Sequence, residues 1–578
     1  MTRLWNAPED FVDEMIDGFV AAHGSQVRRV PGGVVRTTPT PRGEVAVVIG
    51  GGSGHYPAFG GLVGRGLAHG AVMGNLFTSP STQQALSVAR AAENGGGVLL
   101  SFGNYAGDVL NFGAAQERLR AEGIPCRTVL VTDDVASAPP EERARRRGIA
   151  GDLVVFRVAA AAAEAGHDLD GVARLASLAN DRTRSLGVAF AGCTLPGAAE
   201  PLFSVPAGRM ALGLGIHGEP GIDETDVPTA DGLAELLVSR LLAEAPAGAG
   251  TRVVPLLNGL GSLKYEELFV VYRRVARLLD EAGLELVDPH VGEYCTSLDM
   301  SGGSLTLLWL DEELEELWST PVDAPAYRRG SLAPVAIPAS IPATVADPVS
   351  PAAVIPESDE PSRELAGVVV GALAAATSAI DDAAAELGRL DAVAGDGDHG
   401  IGMQRGVRAA LDAAREAHEL GAGAGTTLRR AAEAWADQAG GTSGVIWGYL
   451  LAEVADALGD AGTPSDSDVA AGVTAAARAV MDRGGAAVGD KTLVDALVPF
   501  AASLSEVVTA GSRLADAWPV AAHAASRAAA ATADLSPRVG RARPLAERSV
   551  GTPDPGATSF ALLVTAVGAI LTEGAAHA

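Results

Sequence analysis

Val45-Ala46-Val47-Val48-Ile49 runs directly into Gly50-Gly51-Gly52-Ser53-Gly54-His55-Tyr56-Pro57. A short, mostly β-branched run of this kind reads as a strand buried on both faces, and the glycines that follow end it in a tight turn. The pattern recurs. Val98–Phe102 ends in Gly103-Asn104, and Thr128–Thr132 ends in Asp133-Asp134. Short apolar runs closed by Gly or Asp and followed by helical stretches predict parallel strands in α/β units. Arg209–Ile216 and Arg252–Leu257 continue the style. The first part of the chain is therefore expected to hold two α/β domains, 1–190 and 191–330.

Beyond it the composition changes. Ser331–Pro361 is dense in Pro, Ala and Ser without any period, which reads as a semi-rigid linker over 331–361. From 362 to 578, Ala-rich stretches such as Glu364–Leu387, Thr426–Ala439, Val469–Met481 and Val520–Ala533 carry helical periods. An all-helical domain of six to eight helices is expected, with Pro519 in the first turn of one of them.

The chain has 578 residues, 43 Lys+Arg against 71 Asp+Glu, and a formal charge of −28. So acidic a surface disfavours nucleic acid and anionic membranes, and any polyanionic ligand should come with metal ions. The three cysteines, Cys126, Cys193 and Cys295, form no C-x-x-C pair, which suits a reducing cytosol. No apolar leader is seen, and the apolar runs Ala366–Ile380 and Phe560–Thr572 are shorter than the ~20 residues a spanning helix needs. A soluble, cytoplasmic protein is expected. The lysines are Lys264 and Lys491, and Gly484–Thr492 resembles a P-loop until Asp490, which separates the second glycine from Lys491 and would repel phosphate.

Seven segments carry chemistry. Gly52-Ser53-Gly54-His55 follows the first strand, at the sheet edge where α/β proteins bind ligands. A titratable ring among glycines has little packing role there. Asp108, in Gly103-Asn104-Tyr105-Ala106-Gly107-Asp108, is either a proton acceptor at the same edge or a helix-capping carboxylate. His217, flanked by glycines in Gly213–Gly221, is expected to be exposed, as a nucleophile, a proton shuttle or an ordinary surface histidine. Asp391, Asp396 and Asp398 lie within eight residues and would repel one another without a cation; hard oxygen ligands suit Mg²⁺. Gly440–Gly444, Gly489–Thr492 and Asp554–Ser559 look like phosphate-binding helix starts or ordinary caps, and Arg541, Arg543 and Arg548 stand before the last.

Together these residues resemble the dihydroxyacetone kinase family in its single-chain, ATP-dependent form. GGGSGH, NYAGD, GIHGEPG, TSLDMSGGS, GDGDHG, GGTSG, GDKTLVDAL and DPGATS occur in the family order. The resemblance implies a ketone-binding α/β half joined to an antiparallel helix barrel that binds ATP. It implies that His217 forms a covalent hemiaminal with the ketose, that Asp108 is the general base, and that His55 assists. Gly52, Ser53, Gly54 and Gly103 would line the ketose pocket. Asp391, Asp396 and Asp398 would hold two Mg²⁺ ions. Gly397, Asp398, His399, Gly400, Thr442, Ser443, Gly484, Thr492, Leu493, Asp554, Pro555 and Gly556 would contact the nucleotide. A homodimer is implied as well.

Three departures fall beside the ketose pocket. Tyr56 replaces the family's usual Glu; Gly103 and Ala106 stand where Lys and Thr are common; Asn75, Leu76 and Thr78 alter a further segment. A reshaped pocket points to a four-carbon ketose, erythrulose, with dihydroxyacetone next. The alternatives are a dihydroxyacetone or glyceraldehyde kinase proper, a non-catalytic ketone-binding regulator, a phosphocarrier-dependent enzyme, and a kinase with a lyase side activity on FAD.

Overall fold

A computed structural model of the chain describes residues 2–332, 355–395, 397–539 and 546–577. Most of the expected linker, Asp396, Arg541 and Arg543 lie outside the described residues. The chain divides into two compact units, Met1–Pro348 and Val349–Ala578.

In the first unit, one sheet contains β1 (Val27–Val30), β2 (Gly33–Arg36), β3 (Ala46–Ser53), β4 (Gly70–Leu76), β5 (Val98–Gly103) and β6 (Cys126–Val131), in the order β1-β2-β4-β3-β5-β6. β4, β3, β5 and β6 run parallel, as their apolar runs predict, while β1 and β2 pair antiparallel at the edge. Helices α1 (Phe11–His23), α2 (Thr82–Ala92), α3 (Ala106–Ala121), α4 (Gly151–Glu164) and α5 (Leu169–Asp181) belong with it.

The second sheet is built differently from the expectation. Its strands are β7 (Thr183–Ala191), β8 (Arg209–Leu212), β9 (Asp223–Asp226), β10 (Arg252–Gly259), β11 (Glu285–Leu286), β12 (His290–Gly292) and β13 (Ser301–Trp309). Only β11 and β12 run parallel to β10; β13, β7, β8 and β9 pair antiparallel. β8 turns straight back into β9, with Leu212 opposite Asp223, so residues 213–222 form the loop of a hairpin. Apolar content marked these residues as strand, but the short return connection fixed their direction. β7 runs across the 190/191 division and pairs wholly within the second sheet.

α6 (Ala230–Ala243), α7 (Tyr265–Glu281) and α8 (Glu312–Trp318) complete this unit. Gly151 to Ala163 of α4 are all buried, and one core joins α4 to both sheets, from Val47 and Ile49 to Val254 and Leu256. A helix buried on every face, here with Asp152 and Arg157 enclosed along with its apolar residues, belongs inside a core. The three cysteines are free and buried.

The second unit is helical throughout its described residues: α9 (Glu360–Asp391), α10 (His399–Glu419), α11 (Ala424–Ala439), α12 (Gly441–Leu458), α13 (Asp466–Gly484), α14 (Val494–Thr509), α15 (Leu514–Ala531), the single turn α16 (Ala546–Ser549) and α17 (Pro555–His577). Each long helix packs on the next, and α17 packs back on α9, closing a ring of eight. Alternate connections in such an up-and-down ring fall on the same rim. The α9–α10, α11–α12, α13–α14 and α15–α17 connections, which carry the expected nucleotide residues, therefore share one rim.

Two expectations change here. Pro519 lies inside α15, which starts at Leu514, so the helix costs itself one backbone bond instead of beginning at the proline. The apolar runs also sit in longer helices than expected: α9 and α17, with 32 and 23 residues, are long and apolar enough to cross a membrane. In α9 the buried residues Ser362, Ala366, Val369, Leu373, Ala376 and Ile380 recur three or four apart, the single stripe of a bundle helix.

Candidate active site

In the first unit the site forms where the carboxyl ends of β3 and β5 meet the β8–β9 hairpin loop. β3 ends at Ser53, and Gly54, at φ +104°, turns the chain so that His55 points back over the sheet edge. A Cβ at Gly54 would fall 2.6 Å from the Phe77 ring, so only glycine allows this approach. His55 is 2% exposed and its ring stacks on Phe77 at 4.9 Å. Against the sequence expectation, this ring is packed as well as titratable.

His217, at the tip of the hairpin loop, brings its Nε2 to 3.0 Å from Nε2 of His55. It too is enclosed rather than exposed: its side chain is 16% accessible, and the rings of Tyr105 and Phe77 meet it in T-shaped contacts at 4.8 and 5.4 Å. The glycines around it serve the tight turn, not exposure.

The hydrogens follow from the acceptors. Nδ1 of His55 lies 2.8 Å from the Thr296 carbonyl and must donate to it. Nδ1 of His217 lies 3.0 Å from Oε1 of Glu219, whose Oε2 accepts the His217 backbone N–H at 3.0 Å. Burial alone would raise the Glu219 carboxyl, but the His217 ring and Arg147 hold it well below the usual carboxylate range. Glu219 is thus ionised and His217 Nδ1 donates. Arg147 reaches Glu219 at 3.8 Å and Asp134 at 2.9 Å, extending the chain of charges to the end of β6. Burial, followed by the neighbouring His217 charge, pushes His55 down to about 3. With both Nδ1 atoms committed as donors, the two rings share one hydrogen between their Nε2 atoms.

The remaining expected ketose residues frame this pair unequally. Asp108 is buried in the first turn of α3, three residues beyond Tyr105, and adds negative charge beside the buried Asp152. Gly103 backs Tyr105, whose ring would lie 3.0 Å from a Cβ there and whose hydroxyl donates to the Gly148 carbonyl at 3.0 Å. Gly52 packs against the Phe77–Thr78 backbone. The Ser53 hydroxyl donates to the Gly74 carbonyl at 2.7 Å and so spends itself on β4. Sequence reasoning missed Glu219, Arg147, Phe77 and Thr296; the one signal available was the carboxylate two residues after His217.

In the second unit, Asp391 ends α9 and its Oδ2 accepts the Gly397 N–H at 2.9 Å and the His399 N–H at 3.4 Å. Asp398 stands at the N-cap of α10, and His399 Nε2 is 3.0 Å from the Ser559 hydroxyl on α17. Asp495 gathers the N–H groups of Gly489 and Thr492 at 2.6 and 2.8 Å. Asp554 accepts the Ala557 N–H at 2.7 Å, and Gly556 lies against Leu493. Burial, then the charges of Asp495 and Asp391, carry Asp554 up to about 7.

Three loops distant in sequence thus meet in one acidic corner. Thr442 and Ser443 stand exposed in the first turn of α12, after Gly440 and Gly441 at positive φ, and Gly484 packs on Ile446 in the next turn of the same helix. Among the described residues no group of three metal-ligating side chains is assembled, Asp396 lying outside them. A corner in which the charges of Asp495 and Asp391 raise Asp554 is nevertheless chemically suited to a hard dication, with Asp391 and Asp398 flanking Asp396 in sequence.

Lys491 takes no part in a phosphate cradle. It is 4% exposed and donates to the carbonyls of Leu535 and Ser549.

The Dak1 domain model matches residues 17–326 and the DAK2 domain model matches residues 393–569. The chain belongs to the dihydroxyacetone kinase family. Within it, a protein named L-erythrulose kinase from Pectobacterium atrosepticum is 60% identical over 99% of this chain and 97% of its own. A D-erythrulose kinase of Mycolicibacterium smegmatis is 56% identical over 98% of both. The crystal structure of the dihydroxyacetone kinase of C. freundii in complex with AMP-PNP and Mg²⁺ matches at TM-score 0.52, with 29% identity over 99% of both chains. Dihydroxyacetone kinase family members with both halves in one chain thus match this protein end to end.

Proposed function

We infer that the chain is an ATP-dependent kinase that phosphorylates a terminal hydroxyl of a short ketose, erythrulose ahead of dihydroxyacetone, while His217 holds the ketose as a hemiaminal. The observation that carries this reading is the histidine pair: Nε2 atoms 3.0 Å apart, each Nδ1 committed to another acceptor. With its Nδ1–H on Glu219, His217 can offer only Nε2 to a carbonyl carbon. Attack requires the shared hydrogen to be on His55 Nε2, which leaves His217 Nε2 its lone pair; as the N–C bond forms, the carbonyl π pair moves onto oxygen, which takes that hydrogen from His55. His217 ends as an alkylated imidazolium facing ionised Glu219, and His55 ends neutral, as its burial favours. A polyol without a carbonyl cannot make this bond, so capture selects ketoses and fixes their orientation.

Asp108 would accept the proton of the attacking hydroxyl. Asp391, Asp396 and Asp398 would hold two Mg²⁺ ions, which neutralise the phosphate charge of ATP. Gly397 to Gly400, Thr442, Ser443, Gly484, Thr492, Leu493 and Asp554 to Gly556 would position the nucleotide. The names of the erythrulose kinases support the four-carbon preference, as do Gly103 and Tyr56 at the pocket. A cytoplasmic homodimer without membrane or nucleic-acid partners completes the reading.

Coupled-assay kcat/KM on D-erythrulose, L-erythrulose and dihydroxyacetone tests the substrate, and a clear preference for dihydroxyacetone would defeat the four-carbon assignment. H217A tests the capture step: ketose-dependent ADP release should all but vanish, and parent-like turnover would reject the mechanism.

A further inference from the structure

The segment Thr296–Leu298, in the loop before β13, touches both histidine-bearing loops. The Thr296 carbonyl accepts His55 Nδ1–H, and its N–H donates to the His55 carbonyl at 3.2 Å. Its hydroxyl donates to the Tyr56 carbonyl at 2.8 Å. Leu298, at φ +49°, donates its N–H to the Gly54 carbonyl at 2.8 Å. Between them Ser297 faces the other way. It is fully buried, and its hydroxyl donates at 2.5 Å to the carbonyl of Ile216, the residue before His217, while Cys193 Sγ lies 3.7 Å off. Its own N–H is anchored on the Leu260 carbonyl at 2.9 Å, at the end of β10.

A single peptide step therefore spans from the His55 ring to the backbone of His217. The hydrogen bonds close a loop: His55 ring, Thr296, Ser297, Ile216, His217 ring, and back to His55 through Nε2. A left-handed non-glycine residue such as Leu298 is strained and persists only where the surroundings hold it. The turn that puts Thr296 and Ser297 on opposite loops is held in that way.

We propose that Ser297 is a positioning residue for ketose capture, setting the Nε2–Nε2 separation of His55 and His217 through the Ile216 carbonyl. This rests on the reading of His217 as the capturing group and adds the device that holds the pair at hydrogen-transfer distance. Its signature is functional coupling. Losing the Ser297 hydroxyl should harm capture only while His55 is present to be aligned.

The test is S297A, alone and in an H55A background, read by ketose KM, ATP KM and the ¹³C shift of [2-¹³C]dihydroxyacetone bound to the full chain. The carbonyl carbon becomes tetrahedral in the adduct, so binding is followed without ATP. Expected are an approximately tenfold rise in ketose KM and a matching loss of adduct, an unchanged ATP KM, and no further loss when S297A is added to H55A. Unchanged ketose KM and adduct in S297A, or losses that simply add to those of H55A, would overturn the proposal. Absence of any tetrahedral signal in the parent would instead reject the capture reading itself. Should S297A fail to fold, S297C keeps the volume with a weaker donor and carries the same readouts.

Discussion

His55 and His217 share a single hydrogen across 3.0 Å, because Thr296 and Glu219 have claimed the hydrogen on each of the other two ring nitrogens. Capture of a ketone consumes that shared hydrogen. Glu219 lies against His217 Nδ1, with Arg147 and, behind it, Asp134 as further charges, and Tyr105 and Phe77 as uncharged walls.

E219Q keeps the shape and an oxygen for Nδ1–H but removes the charge. The alkylated ring that capture produces then faces a neutral amide instead of a carboxylate. Ketose kcat/KM should fall roughly tenfold at an unchanged ATP KM, the difference between a charged and a neutral hydrogen-bond partner. Steady-state kinetics on ketose and on ATP check this; a parent-like ketose kcat/KM contradicts it.

Acid stability gives a separate prediction. His55 is pushed down to about 3, and His69 and His290 to about 4, chiefly by burial. Each is neutral in the folded chain and takes a proton on unfolding, where its pKa is near the ordinary 6.5. Stability is therefore present above that value and lost as pH falls through the window from 6.5 toward 4. Between pH 7 and pH 5 the loss should be about 2 kcal/mol for each ring. Urea unfolding at the two values measures it, and an unmoved midpoint would refute the buried neutral state.

The parallel strands of the first sheet could be read from sequence because β3 and β5 are buried on both faces, which writes itself as unbroken Val, Leu and Ile. The same rule misled at Arg209–Ile216: its composition matches a buried parallel strand, but the strand stops at Leu212 and its pairing direction came from the short return to Asp223, a three-dimensional fact. The two histidines stood out as titratable rings beside glycine. Their burial did not, since the covering rings of Phe77 and Tyr105 come from other segments. Glu219 was quoted within its motif yet unremarked, because a carboxylate two residues on could equally face solvent. Asp391, by contrast, announced itself through charge density that only a cation or neighbouring amides could relieve.

D391N tests that corner. The amide still offers an oxygen to the Gly397 and His399 N–H groups, so the loop should keep its fold while one negative charge is lost. The Mg²⁺ concentration for half-maximal activity should rise roughly a hundredfold, because hard cations depend on ligand charge. Formation of the ketose adduct, followed by NMR without ATP, should be unaffected. A Mg²⁺ requirement equal to the parent's would remove Asp391 from the metal site.

Lys491 looks like a phosphate-binding residue in sequence and acts as a structural one in the fold, so its two roles predict different phenotypes. Its Nζ donates to the carbonyls of Leu535 and Ser549, joining two stretches of chain fourteen residues apart to the loop after α13. Burial lowers its pKa, and the charges of Asp554 and Asp534 partly restore it. K491M would fill the same space while leaving both carbonyls without this donor, at about 1–3 kcal/mol each. The thermal midpoint of the helical unit should fall by several degrees, and K491R should recover part of it. At a temperature where the variant is folded, kcat should remain within a few-fold of the parent, since the ammonium touches no nucleotide residue directly. A loss of kcat by orders of magnitude at unchanged stability would mean that the lysine reaches phosphate after all.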